Sequence, residues 1–248
     1  MMKEKLIPKK LRKEPLIEAV CELRFTSDKD SISDLLPGLI FQKLSERFPK
    51  IEKLPASNLP AFVLKSDPNL RYTPTIKLTG EPYSIMIGEH VFSLSCSRPY
   101  VGWDKFSLII VELLTLIRET SLINHPERIS IKYIDILPDT EKLTLESLNI
   151  DLQIGGNRIT TAAVQLNTEI NAAEYTHIIQ IASPAKATLN NGQSFDGILI
   201  SIDTMSQTIP DNFWLNLKDF IDRAHAINKS MFFSLLKDET IKLLEPEN

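Results

Sequence analysis

Six prolines, Pro49, Pro55, Pro60, Pro68, Pro74 and Pro82, fall within residues 49–82. Each fixes φ and removes a backbone donor, so this stretch forms neither a long helix nor a set of central strands. It reads as an irregular connection with one edge strand near Thr75–Thr79. Regular structure must come mainly from the sequence on either side.

On the N-terminal side, residues 15–25 read PLIEAVCELRF. Ile17, Ala19, Cys21, Leu23 and Phe25 share one face, and Leu16, Glu18, Val20, Glu22 and Arg24 the other. One apolar face at period 2 predicts a strand with a single buried side. Ile40, Phe41, Leu44 and Phe48 recur at helical spacing. They predict a helix from near Pro37 to Phe48, with Pro37 in its first turn.

On the C-terminal side, Tyr83–Ile87 and Val91–Cys96 flank Gly88-Glu89-His90 as a hairpin. Residues 104–120 predict a helix capped by Asp104, with Phe106, Ile109, Ile110, Leu113, Leu116 and Ile117 on one stripe. Strands are expected at Arg128–Leu137, Leu148–Ile154, Ile159–Ile170, Tyr175–Ser183 and Phe195–Thr204. A helix then starts at Pro210-Asp211 and runs toward Leu236, and a short one, Glu239–Leu244, follows Asp238. Strands in hairpin-like succession, without βαβ alternation, favour an α+β fold of mainly antiparallel sheets packed against long amphipathic helices. The expected layout is a basic arm at 1–14, an N-terminal α+β subdomain at 15–138 and a C-terminal one at 139–248. The two subdomains are coarsely alike and show no residue-level repeat.

The chain is 43% hydrophobic and carries a formal net charge of -4. That balance disfavours a protein whose main task is to coat nucleic acid, without excluding a local basic patch. The two cysteines, Cys21 and Cys96, lie in apolar strand-like runs and read as buried, reduced thiols. The N-terminus lacks the apolar stretch of a signal peptide, and no run approaches the length of a membrane span. The cytoplasm is the expected compartment, with no membrane association.

Catalytic signatures are missing. The sequence has no GxxxxGK[ST], no GxGxxG and no GxSxG. His90, His125, His177 and His225 form no HxH or HExxH unit, and the cysteines form no CxxC. No catalytic residue, no metal and no cofactor are therefore expected. His90 and His125 read as solvated turn residues, His177 as a satisfied core histidine.

Two constellations carry potential binding chemistry. Glu18, Glu22 and Arg24 share one strand face, where side chains two residues apart stand side by side and Glu22 can pair with Arg24. That face is expected to meet Arg128, Lys132 or His225, either as a structural ion pair or as a groove for a charged partner. The second, Arg98, Tyr100, Trp103 and Lys105, precedes a helix. It could stack on a base or peptide, or staple the helix start.

PLIEAVCELRF at 15–25, RISIKYIDIL at 128–137 and AHAINKSMFFSLLKDETIKLL at 224–244 resemble segments of a family of bacterial proteins. It is a sporadically distributed family of uncharacterised proteins of about this length, with an N-terminal PLxEA strand motif. Asp135 stands where that family usually has asparagine, while His225 and Phe232 or Phe233 fit its C-terminal pattern. The resemblance implies no activity, and its patchy distribution is like that of mobile defence and toxin–antitoxin genes. The expectation is a non-enzymatic interaction or regulatory protein of such an accessory system. It would have a protein partner, with homo-oligomers also open. The alternatives are an enzyme acting on nucleic acid or nucleotides through carboxylates such as Glu18 and Glu22, and a small-molecule-binding domain.

Overall fold

The computed structural model describes residues 7–29, 31–138, 143–160, 163–189 and 192–247. Its elements run β1 (Lys10–Leu11), β2 (Leu16–Thr26), α1 (Ile32–Leu44), β3 (Lys50–Lys53), α2 (Ala61–Ser66), β4 (Ile76–Gly80), β5 (Tyr83–Ile87), β6 (Val91–Ser97), α3 (Trp103–Glu119) and β7 (His125–Pro138). They continue with β8 (Gln153–Ile154), β9 (Asn157–Arg158), β10 (Val164–Ala172), β11 (Tyr175–Thr188), β12 (Ser194–Ser206), α4 (Leu217–Leu235), α5 (Asp238–Leu243) and β13 (Pro246–Glu247). The chain is α+β, and its strands pair mainly antiparallel.

It divides into two compact units. The first comprises residues 1–17, 132–204 and 225–248, the second 18–131 and 205–224. Neither is one continuous half of the sequence, because β2, β7, β12 and α4 each contribute residues to both. The boundary expected between residues 138 and 139 adjoins residues 139–142, which lie outside the described residues, as do residues 1–6 of the expected arm.

In the second unit the hydrogen-bonded order is β7-β2-β6-β5-β4-β3. Ala19 faces Cys96, Cys21 faces Leu94 and Leu23 faces Phe92 across the β2–β6 ladder. The expected apolar face of β2 is buried, and Cys21 and Cys96 are 1% and 0% exposed. The strand expected at an edge, near 75–79, is instead interior: β4 lies between β5 and β3. The edge is β3, a four-residue KIEK run between Pro49 and Pro55 that is exposed throughout. A short strand bearing lysines suits an edge because it discourages pairing with other chains.

Helix α1 also departs from expectation. It starts at Ile32, and Pro37 lies inside it. The reason is a cap from far along the chain. The Glu89 carboxylate accepts hydrogen bonds from the backbone N–H groups of Ile32 (3.3 Å) and Ser33 (3.2 Å) and from the Ser33 hydroxyl (3.0 Å). This satisfies orphan donors of the first turn and sets negative charge at the helix N-terminus. Helix α1 touches β4, β5 and α3. At Gly80, an added Cβ would lie 1.6 Å from the Arg47 carbonyl oxygen, so only glycine admits this crossing. Helix α3 begins behind Gly102 (φ 88°), and Asp104 sits in its first turn, not at its cap.

In the first unit the order is β10-β11-β12-β7. Its core gathers Leu137 of β7, Ile179 and Ile181 of β11, Ile198, Ile200 and Ile202 of β12, and Phe232 and Phe233 of α4. The expected strand Ile159–Ile170 appears as β10, starting at Val164; residues 161–162 are outside the described set. Helix α4 begins at Leu217, not Pro210, because residues 210–216 close overlapping turns such as Phe213 N–H to Pro210 O at 2.9 Å. Among the described residues, no helix is long and apolar enough to cross a membrane.

Candidate functional site

The polar face of β2 builds one site in the second unit. Arg24 Nε donates to Glu22 Oε1 at 2.7 Å, the pairing expected for side chains two residues apart on a strand. Arg128 of β7 donates from Nη2 to the same oxygen at 3.1 Å. Three further residues join them. The Arg24 guanidinium carbon stands 4.2 Å from the centroid of the Tyr72 ring. Tyr72 Oη donates to Glu127 Oε2 at 2.9 Å, and Arg71 Nη2 donates to Glu127 Oε1 at 2.9 Å. Burial, then the hydrogen bond to Glu127, pushes the Tyr72 phenol above its ordinary range.

The charges do not balance. Arg24, Arg71 and Arg128 face two carboxylates, Glu22 and Glu127, leaving a surplus of one positive charge. All five side chains remain partly accessible, Arg71 most, at 42%. Arg24 is held in two ways at once, by an ion pair at Nε and by the aromatic face beneath it. Its terminal nitrogens have no acceptor among the described residues. A guanidinium fixed like this presents a planar fork matched to a carboxylate or phosphate. The Arg128 Nε is buried without a hydrogen-bond partner among the described residues, a cost the site carries.

Of the residues expected on this face, Glu22, Arg24 and Arg128 come together. Glu18 is half-buried, opposite Ser97, and makes no hydrogen bond or ion pair among the described residues. Lys132 and His225 belong to the first unit. There His225 Nδ1 is hydrogen-bonded to Tyr133 Oη at 2.8 Å, with the rings edge to face at 5.6 Å. Arg71, Tyr72 and Glu127 were not singled out from sequence. Arg71 and Tyr72 lie in the proline-rich stretch read as connection, although an Arg-Tyr dipeptide there was a usable signal.

The second constellation packs a helix start. Tyr100 and Trp103 both meet Phe106 edge to face, at 5.9 and 6.3 Å between ring centroids. Trp103 Nε1 donates to Asp222 Oδ1 at 2.8 Å, and Lys218 Nζ also bonds that oxygen, at 2.6 Å. Arg98 is half-buried and Lys105 exposed.

Buried polar groups in the first unit are structural in character. His177, 1% exposed, shares its Nδ1 with Thr204 Oγ1 at 2.9 Å. Asn228 Nδ2 donates to Thr204 Oγ1 and to the Ile202 carbonyl oxygen, each at 2.9 Å. A hydroxyl beside an imidazole has the makings of a nucleophile and base, but Thr204 is 0% exposed. Desolvation lowers the His177 pKa, so the ring stays neutral and accepts or donates as Thr204 requires. Asp135 is 6% exposed; burial first, and Glu14 second, raise its pKa to about 8. His125 is exposed, as expected, but opens β7 instead of lying in a turn, whereas His90 is half-buried, and its buried Nδ1 has no hydrogen-bond partner among the described residues.

An open cleft of about 450 Å³ is lined by Thr144, Glu146, Ser147, Lys237, Glu239, Thr240 and Leu243. It is polar and differs from the closed apolar cavity that would suit a hydrophobic ligand. Among the described residues no group of three or more His, Cys, Asp or Glu side chains is placed to hold a metal. No protein-family model matches the chain, and no curated protein matches it.

Proposed function

We propose that the protein is a non-enzymatic interaction protein of the bacterial cytoplasm. It would serve as a regulatory or neutralising partner in an accessory system of the defence or toxin–antitoxin kind, and receive an acidic segment of its protein partner at Arg24. The observation that carries this reading is the fixed guanidinium. Glu22 holds its Nε at 2.7 Å, the Tyr72 ring lies 4.2 Å beneath its central carbon, and its outer fork has no acceptor among the described residues. Pre-organisation lowers the entropy lost when a carboxylate docks. The surplus positive charge adds attraction for an acidic partner on an otherwise acidic chain. Glu22 favours this reading over carboxylate catalysis, because its Oε1 already serves two guanidiniums.

Affinity capture from the native host with the wild type and with Arg24→Gln tests the reading. A partner retained by the wild type and lost by Arg24→Gln, at equal melting temperature, supports it. An identical set of captured proteins from both contradicts it.

A further inference from the structure

We propose that the protein forms a two-fold homodimer by antiparallel pairing of β10 with β10 of a second copy, centred on Thr168. The strand is nine residues long and ends its sheet order, with β11 as the one strand hydrogen-bonded to it among the described residues. One backbone edge of Val164–Ile170 therefore faces outward, and such an edge is a template for another strand.

Three observations select a second copy as the occupant. First, the sequence VQLNTEINA is self-complementary about its centre. Antiparallel pairing on Thr168 sets Val164 opposite Ala172, Leu166 opposite Ile170, Gln165 opposite Asn171 and Asn167 opposite Glu169. Every apolar side chain meets an apolar one on the same face, and every polar one a polar one. A shift by one residue would set the Val-Leu-Thr-Ile-Ala face against the Gln-Asn-Glu-Asn face, and among the registers that keep the faces matched only the one centred on Thr168 pairs all nine residues of the strand. Second, the charge pattern permits it: Glu169 is the one charged residue of the strand, and it faces Asn167, not its own copy. Third, the apolar face has a component to gain. Val164 and Leu166 already pack against the core of their unit, while Ile170 is 41% exposed. Pairing places Ile170 beside Leu166 of the second copy.

The contrast with β3 strengthens the case. That edge carries Lys50 and Lys53 in four residues, the guard that keeps an edge single. Strand β10 has no lysine, arginine, proline or glycine anywhere along it.

Sedimentation of the full chain at high micromolar concentration should give twice the monomer mass, and Thr168→Lys, which sets two ammonium groups opposite each other, should return it to the monomer. Thr168→Cys gives an independent check that survives any folding defect of the lysine variant. Its two new thiols lie directly opposite across the axis and should form an intermolecular disulfide under mild oxidation. Gln165→Cys should not crosslink, since its copies would be ~20 Å apart at ~3.4 Å per residue. The native Cys21 and Cys96 are buried and give no background. A wild-type monomer would overturn the proposal. So would a dimer in which Thr168→Cys crosslinks no faster than Gln165→Cys.

Discussion

The central carbon of the Arg24 guanidinium stands over the Tyr72 ring, 4.2 Å from its centroid. The stack and the Glu22 ion pair act on different parts of the same group, so each restrains a motion that the other allows. Lysine keeps the charge but has neither the planar fork nor the stacking surface. Arg24→Lys should therefore lose most partner capture while leaving net charge unchanged. Tyr72→Leu should weaken capture less, because the Glu22 pair remains. Capture by Arg24→Lys at the wild-type level would show that charge alone suffices and that the stacked geometry is irrelevant.

Glu22 has a separate part in stability. Removing it leaves Arg24 and Arg128 side by side without their shared acceptor. The pairs are 24–28% exposed, intermediate between a surface pair and a buried one. Surface pairs contribute up to ~1 kcal/mol, and breaking a buried one costs about 3–5, so Glu22→Ala should destabilise by roughly 1–2 kcal/mol. Chemical denaturation at neutral pH measures this directly. The cost should shrink in Glu22→Gln, which keeps an acceptor oxygen.

Much of this site was legible from alternation alone. The period-2 pattern of residues 16–25 placed Glu22 and Arg24 on the same face, and their spacing required the contact. The strand in RISIKYIDIL was equally plain, and it delivers Arg128. What remained hidden was long-range. Tyr72 reaches Arg24 from 48 positions away, through a stretch whose prolines conceal where it runs. The α1 start was missed for the same reason: Glu89 caps it across 56 positions, and no local residue signals that. Local periodicity fixes which face a residue occupies, but not which distant loop covers it.

Gly80 offers a test of the chain crossing. The Cβ of alanine would stand 1.6 Å from the Arg47 carbonyl oxygen and 2.7 Å from its carbon. Both are backbone atoms and have no rotamer by which to withdraw. Gly80→Ala should therefore cost at least about 2 kcal/mol, well beyond the loss usual for a surface position. Gly38, where an added Cβ meets nothing within 4 Å, is the matched control. Gly38→Ala lies within α1 and should stabilise by up to ~1 kcal/mol, since alanine loses less entropy in a helix. Equal melting temperatures for the two variants would contradict the packing at Gly80.

Asp135 makes the fold sensitive to pH in a predictable sense. Its carboxyl is buried, and burial with the nearby Glu14 raises its pKa from 3.8 to about 8. The native state thus holds a proton at Asp135 over a range where the unfolded chain has released it. Where the native state binds the extra proton, stability falls as pH rises. The contribution of Asp135 is most favourable below its unfolded pKa of 3.8, declines as pH climbs, and is fully lost above about 8. Asparagine has nearly the same shape and no charge to desolvate. Asp135→Asn should therefore leave the protein close to wild type at about pH 4.5 and clearly more stable than wild type at about pH 9, the gap widening steadily between. The difference between the two proteins is the quantity to measure, because His177 titrates in the opposite sense. Its lowered pKa gives stability that is present above 6.5 and is lost as pH falls toward the folded value. That background is common to both proteins and cancels. A melting-temperature difference that stays constant from acid to alkaline pH would mean that Asp135 does not hold its proton in the folded chain.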